Sequence, residues 1–286
     1  MRRTNYILGR RIQGNIGPLQ TDPLSQLPGR ILAPCVNLTG TEQDIYTASA
    51  IQNYTLGSRM AVDERVFHYC RAGAALQVIT TTRRLHITAD LCLAINDRLA
   101  TAISAIGTMT VTVAIAGFGA VALNELAGGW AEIWRVGGGF QHRRIVGNTF
   151  SAGAADVTVT LEQGLEFAVA VGDQITLQRN IYRNVQDPTA AGLAGFQTPV
   201  CLPPMWVPIN NFFWGQTWGP CFVDPTGAWP GSVANFRDVY YHVNGEINSS
   251  QGEGIGAGAD NSPMRVGYVL PAGNYGTGMI MLQLAP

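Results

Sequence analysis

The stretch Thr108–Gly117, TMTVTVAIAG, decides the fold class. Thr108, Thr110 and Thr112 alternate with Met109, Val111 and Val113, and Gly107 and Gly117 bound the run. A period of two in β-branched residues, closed by glycine, is the pattern of a strand with one face buried. The same run lies inside Leu99–Asn124, which carries no charge and is long enough to cross a bilayer. Its internal alternation, punctuated by Gly107, Gly117 and Gly119, reads instead as strand and turns, and no membrane contact is expected.

Working outward, the same signature recurs. AEIWRVG (131–137), HRRIVG (142–147), DVTVTLEQ (156–163) and GDQITLQRN (172–180) are short β-branched or aromatic runs ending in glycine or asparagine. GGGF at Gly137–Phe140 joins two of them and predicts a hairpin turn. Upstream, RVFHYCRAG (65–73) sets Val66, His68 and Cys70 on one face and Phe67, Tyr69 and Arg71 on the other. Only ITADLCLAINDRLATAIS (87–104) predicts a helix, because Leu91, Ile95, Leu99 and Ile103 recur every four residues. Short strands with frequent turn signals suggest an antiparallel sandwich or barrel rather than βαβ units. The expected architecture is mainly β: an extended N-terminal arm over 1–40, rich in glycine and proline, then a single domain over 41–286 with one short helix.

Composition narrows the function. Only 13% of the 286 residues are charged, against about 25% in soluble domains, while 47% are hydrophobic. All basic residues are arginine, and the net charge is −1. That balance argues against intrinsic disorder and against a general phosphate-neutralising nucleic-acid binder. A chain so poor in charge either carries a bland surface or hides much of it against partners. Lysine is depleted at interfaces where arginine persists, although a GC-rich genome gives the same bias. Arg2, Arg3, Arg10 and Arg11 sit in the arm, either as a solvated basic terminus or as docking residues for an acidic surface. The N-terminus lacks the apolar core of a secretory signal. Five cysteines, with no C-x-x-C pair, fit small buried hydrophobes in a reducing compartment.

Catalytic signatures are missing from the sequence. His68, His86, His142 and His242 form no metal-ligand spacing, and neither an H-E-x-x-H nor a G-x-S-x-G motif occurs. The glycine-rich GEGIGAGAD (252–260) lacks the strand before it and the helix after it that a phosphate cradle needs. One enzymatic option remains, a sugar groove in which Asp224, Asp238 and Glu246 work beside Trp214, Trp218 and Trp229. The same aromatics, in NFFWGQTWGPCFVDPTGAWPG (211–231), equally fill a core or an interface. Neither a catalytic residue, a metal nor a cofactor is expected.

Two blocks carry a family likeness. TASAIQNYTLGSRMAVDERVFHYCRAGAAL (47–76) holds Leu56–Arg59 and Asp63–Gly73; the second block runs from Gly107 to Ser151 and on to NNFFWGQTWGPCFV (210–223). It contributes Thr110–Trp130, Ile145–Thr149 and Phe213–Pro220. In this order the segments resemble tailed-bacteriophage virion proteins of the decoration, cement or auxiliary structural kind. The resemblance implies a structural role without a reaction: binding the capsid exterior and stabilising the shell, after assembly in the host bacterial cytoplasm. It implies two partners, the major capsid protein and copies of the chain itself as a dimer or trimer. Direct contact with nucleic acid is not implied. Arg2, Arg3, Arg10, Arg11, Trp214, Trp218 and Trp229 are the candidate capsid or subunit contacts. The alternatives are another virion component (capsid shell, tail or fibre protein) and a carbohydrate-binding or glycoside-cleaving module.

Overall fold

The computed structural model describes residues 5–7, 10–12, 43–76, 86–89, 94–153, 155–187, 197–224, 237–241, 245–248, 264–270 and 279–286. The chain forms two compact units: residues 1–89 with 182–286, and residues 90–181. Every named strand pairing is antiparallel, and the described residues contain no helix.

The first unit opens with β1 (Asn5–Ile7), β2 (Arg10–Ile12), β3 (Arg59–Val62), β4 (Arg65–Arg71) and β5 (His86–Ala89). After the second unit it continues with β12 (Val185–Gln186), β13 (Gln197–Cys201), β14 (Phe212–Phe222), β15 (Asp238–Tyr241), β16 (Ile247–Asn248), β17 (Arg265–Val269) and β18 (Met279–Gln283). Nine of these strands form one sheet in the order β16-β15-β17-β18-β14-β4-β3-β1-β2, and β12-β5-β13 form another. The alternation read in 65–71 holds, but both faces of β4 are buried from Val66 to Cys70.

On one face, Phe67 and Tyr69 join Trp214, Ile45, Tyr54, Leu56 and Met60. On the other, Cys70 joins Phe213, Val185, Val200 and Cys201. Three rings lock the first cluster: Tyr54, Tyr69 and Trp214 lie 4.9–5.1 Å apart, centroid to centroid. Gln43, itself buried, ties the cluster to the backbone. Its Oε1 accepts from Tyr69 Oη at 2.8 Å and from Asn53 Nδ2 at 2.9 Å, and its carbonyl accepts from Trp214 Nε1 at 3.2 Å. Satisfying those polar tips is what permits Tyr and Trp to be buried at all.

The second unit contains β6 (Ala94–Leu99), β7 (Thr110–Val113), β8 (Trp130–Trp134), β9 (Phe140–Asn148), β10 (Val157–Leu161) and β11 (Gln174–Gln178), in the order β6-β11-β8-β9-β10-β7. The sheet curls until its outer strands meet: Ala100 bridges Val113, with Thr101 N–H donating to the Thr112 carbonyl at 3.0 Å. The enclosed face is aliphatic throughout, including Ile95, Val111, Val113, Ala131, Ile133, Ile145, Val157, Val159, Ile175 and Leu177. The predicted hairpin is present. Gly137, Gly138 and Gly139 take φ of 97°, 104° and 118° between β8 and β9, values that side chains rarely tolerate.

The helix expected over 87–104 is not formed. His86–Ala89 and Ala94–Leu99 are strands instead. A four-residue spacing is even, so it matches one face of a strand as well as a helical stripe. Asp97 then breaks the alternation: at φ 49° it forms a bulge opposite Thr176, whose Oγ1 accepts from Asp97 N–H at 3.2 Å. Ile95 consequently points inward while Leu99 and Ile103 are exposed.

Of the expected arm, residues 5–7 and 10–12 form β1 and β2, and β1 pairs with β3 through Tyr6–Ala61 and Ile7–Met60. The rest of 1–40 lies outside the described residues. No helix among the described residues is long and apolar enough to cross a membrane.

Candidate functional site

The outer face of the second unit carries what its interior excludes. Along β8, Ala131 and Ile133 point inward, so Trp130, Glu132 and Trp134 point outward. On β9 the outward residues include Phe140, His142 and Arg144; Arg144 stands opposite Trp130, His142 opposite Glu132, and Phe140 opposite Trp134. On the other side β11 sets Gln178, Thr176 and Gln174 against the same three β8 residues.

The rings assemble into one strip. Trp130 stacks on the His142 imidazole at 4.4 Å and 18° between planes, His142 lies parallel to Phe140 at 6.5 Å, and Phe140 meets Trp134 at 4.7 Å. Trp130, Trp134 and Phe140 are 42%, 51% and 49% exposed. Diagonal ring pairs across an antiparallel ladder are within reach of aromatic side chains, so the strip is held rigid before any partner arrives. Glu132, between the two tryptophans, accepts from Gln178 Nε2 at 3.0 Å. On the same face Arg144, opposite Trp130, is exposed. The surface is therefore apolar at its centre, mixed in charge and flanked by amides and hydroxyls. Trp and Arg in such a setting are the residue types that dominate binding energy at interfaces.

The sequence candidates are distributed otherwise. Trp214 is fully buried in the first unit's core, and Trp218 is half-buried on β14 opposite Val66 and Gln283. Arg10 and Arg11 lie on β2, paired with Ile7 and Tyr6. Arg2, Arg3 and Trp229 lie outside the described residues. For the sugar groove imagined around 214–246, Trp214 offers no exposed face, and the Asp238 carboxylate is paired with Arg265 at 2.8 Å. Trp130 and Trp134 are the residues that sequence reasoning overlooked. The signal was present: W-A-E-I-W places both tryptophans opposite the aliphatic face that the neighbouring strands share.

Apart from Trp130, which belongs to the strip, the residues of the segments that carry the resemblance hold the fold. In NELAGG, Asn124 sits at φ 58°, and Glu125 pairs with Arg179 at 2.9 Å. A Cβ on Gly129 would lie 2.0 Å from the Gln178 carbonyl oxygen. Asn148, from IVGNT and buried, accepts from Leu126 N–H at 2.8 Å and donates through Nδ2 to the carbonyls of Ala122 and Thr149 at 2.9 and 2.8 Å. The two motifs thus clasp each other. Tyr69 and Trp214 belong to the ring cluster held by Gln43. Among the described residues, no group of three or more His, Cys, Asp or Glu side chains could hold a metal ion. No protein-family model, curated protein or solved structure matches the chain.

Proposed function

We propose that the chain is a structural protein of a tailed-phage virion, one that binds the outer surface of the capsid and stabilises the shell. The mechanism is adhesion, with the major capsid protein and further copies of the chain as partners and without a catalytic step or cofactor. In this reading the first unit is a sandwich-like scaffold, and the second is a small barrel that presents its aromatic strip to the lattice.

The observation that carries the reading is that strip. Rings that a fold does not bury contribute nothing to its core, and they are the groups that interfaces enrich. The likeness of 47–76 and 107–223 to decoration proteins supplies the choice of partner, and the low charge fits a surface covered by neighbours. At about 200 Å² per aromatic side chain, three half-exposed rings offer roughly 300 Å², against about 800 Å² per partner in a stable interface. The strip therefore serves as an anchor within a larger contact.

Electron microscopy of the assembled particle tests this. Density for the chain on the outer shell is expected, and its absence from purified particles overturns the proposal. A second reading, glycan binding, draws on Glu132, between the exposed tryptophans, and on Gln178, which donates to it from the neighbouring strand. It requires retention on a polysaccharide that is lost in Trp134→Ala.

A further inference from the structure

Inside the first unit two sulfurs meet. Cys70 on β4 and Cys201 at the end of β13 are both fully buried, and their Sγ atoms lie 3.9 Å apart. They sit in an aliphatic and aromatic cluster with Ala72, Val185, Val200 and Phe213. Strand β14 passes beside them at Gly215, where a Cβ would stand 2.6 Å from the Cys201 sulfur and 3.2 Å from that of Cys70. The hydrogen of Gly215 is what leaves room for the two sulfurs.

The chemistry open to this pair is narrow. Two thiols without a third ligand make a poor metal site. A nucleophile needs an exposed thiolate, but burial and the neighbouring Cys201 push the Cys70 thiol well above its ordinary pKa, holding it protonated. What two adjacent buried thiols can still do is join.

We infer that Cys70 and Cys201 are a latent disulfide, left as two thiols when the chain folds in a reducing compartment and closed by a low-molecular-weight disulfide when the chain folds, or its first unit opens, in an oxidising one. While the pair is still exposed to solvent and its thiols can ionise, one thiolate attacks the small disulfide, forming a mixed disulfide and releasing one small thiol. The second cysteine then displaces the other small thiol, and the S–S bond forms. The two cysteines lose two electrons and two protons, and the small disulfide is reduced to two thiols. The bond would tie the nine-stranded sheet to the β12-β5-β13 sheet. It would also close a covalent loop, since the cysteines are 131 positions apart and the whole of residues 90–181 lies between them. The first unit would then be fastened on both sides of the insertion. Loops of that length gain most from cross-linking in the chain-entropy picture. This inference stands on the first unit alone and is independent of the virion reading.

The test uses the full chain, unfolded in urea and refolded in a buffer of oxidised and reduced glutathione, with a fully reduced sample as control. The expected product has lost two hydrogens, yields a Cys70–Cys201 linked peptide on digestion without reductant, and melts several degrees above the reduced chain. A cut made within residues 90–181 should leave two pieces that separate only when reductant is added. Soluble refolded chain in which both thiols are still alkylated overturns the inference, as does linkage through other cysteines or a lower melting temperature after closure. Gly215→Ala, if its circular dichroism matches the parent, should refold with both thiols free; unimpeded closure there overturns the role given to Gly215.

Discussion

In the first unit Tyr54, Tyr69 and Trp214 meet ring against ring inside the core, whereas in the second Trp130, Trp134 and Phe140 stand outside an interior of Ile, Val, Leu and Ala. All six aromatic residues between 90 and 181 lie outside that interior; five are exposed, and Phe167 packs partly buried against it. Of the 21 exposed large hydrophobics among the described residues, 14 belong to this unit, though it is much the shorter of the two. The cause is geometric. Where separate segments cover both faces of β4 and β14, the layers leave space for rings. A six-stranded sheet curled on itself is narrower than the eight-stranded barrels that side chains just fill, and its buried residues are aliphatic, with Phe167 packed partly buried against them. Strands buried on both faces thus hold rings in the core of the first unit, and strands buried on one face display them in the second.

The contrast can be broken most forcefully at its buried end. Trp214→Ala removes a fully buried ring and its bond to the Gln43 carbonyl, and is expected to lower stability by about 3–5 kcal/mol in urea unfolding. A loss below about 1 kcal/mol would mean that this ring is not core.

Acid should reach the first unit through His68. Burial and then the nearby Arg59 lower its pKa to about 4 from 6.5, while Nδ1 lies 3.0 Å from Thr217 Oγ1 and the ring stacks on Tyr182. Because the unfolded chain binds the proton more readily, the stabilisation is complete above pH 6.5. It falls as the pH drops from 6.5 towards 4 and levels off below that, by about 3 kcal/mol in all. Urea midpoints across that range should slope in the parent and flatten in His68→Gln.

In the second unit, Asn148→Ala strands one backbone N–H and removes the donor to two carbonyls. It should cost about 2–3 kcal/mol and loosen hydrogen-exchange protection at Leu126. The smallest stability effect belongs to the strip: Trp130→Ala with Trp134→Ala should change unfolding by less than about 1 kcal/mol while weakening adhesion at least tenfold in a particle-binding assay. Equal losses from the core and strip variants would erase the distinction between the units.

Much of this was legible in the sequence. The alternation at 110–113, 130–134, 157–161 and 174–178 marks strands, and GGGF marks a hairpin, because both signals are local. The spacing of Ile95, Leu99 and Ile103 misleads because four is a multiple of two, and the bulge at Asp97 that separates their faces depends on pairing with β11. The weight placed on 211–231 rather than on Trp130 and Trp134 has a similar origin. A tryptophan looks the same in a core and on a surface until the opposite face of its strand is compared with that of its neighbours. Cys70 and Cys201 could not be paired at all from sequence, since 131 positions separate them.

Hydroxyl-radical footprinting read by mass spectrometry, on the free chain and on the chain bound to particles, probes both units at once. Trp130, Trp134 and Phe140 should be oxidised in the free chain and protected on the particle, with Trp214 unmodified in both. Equal oxidation of Trp130 and Trp134 in the two states would contradict adhesion through the aromatic strip.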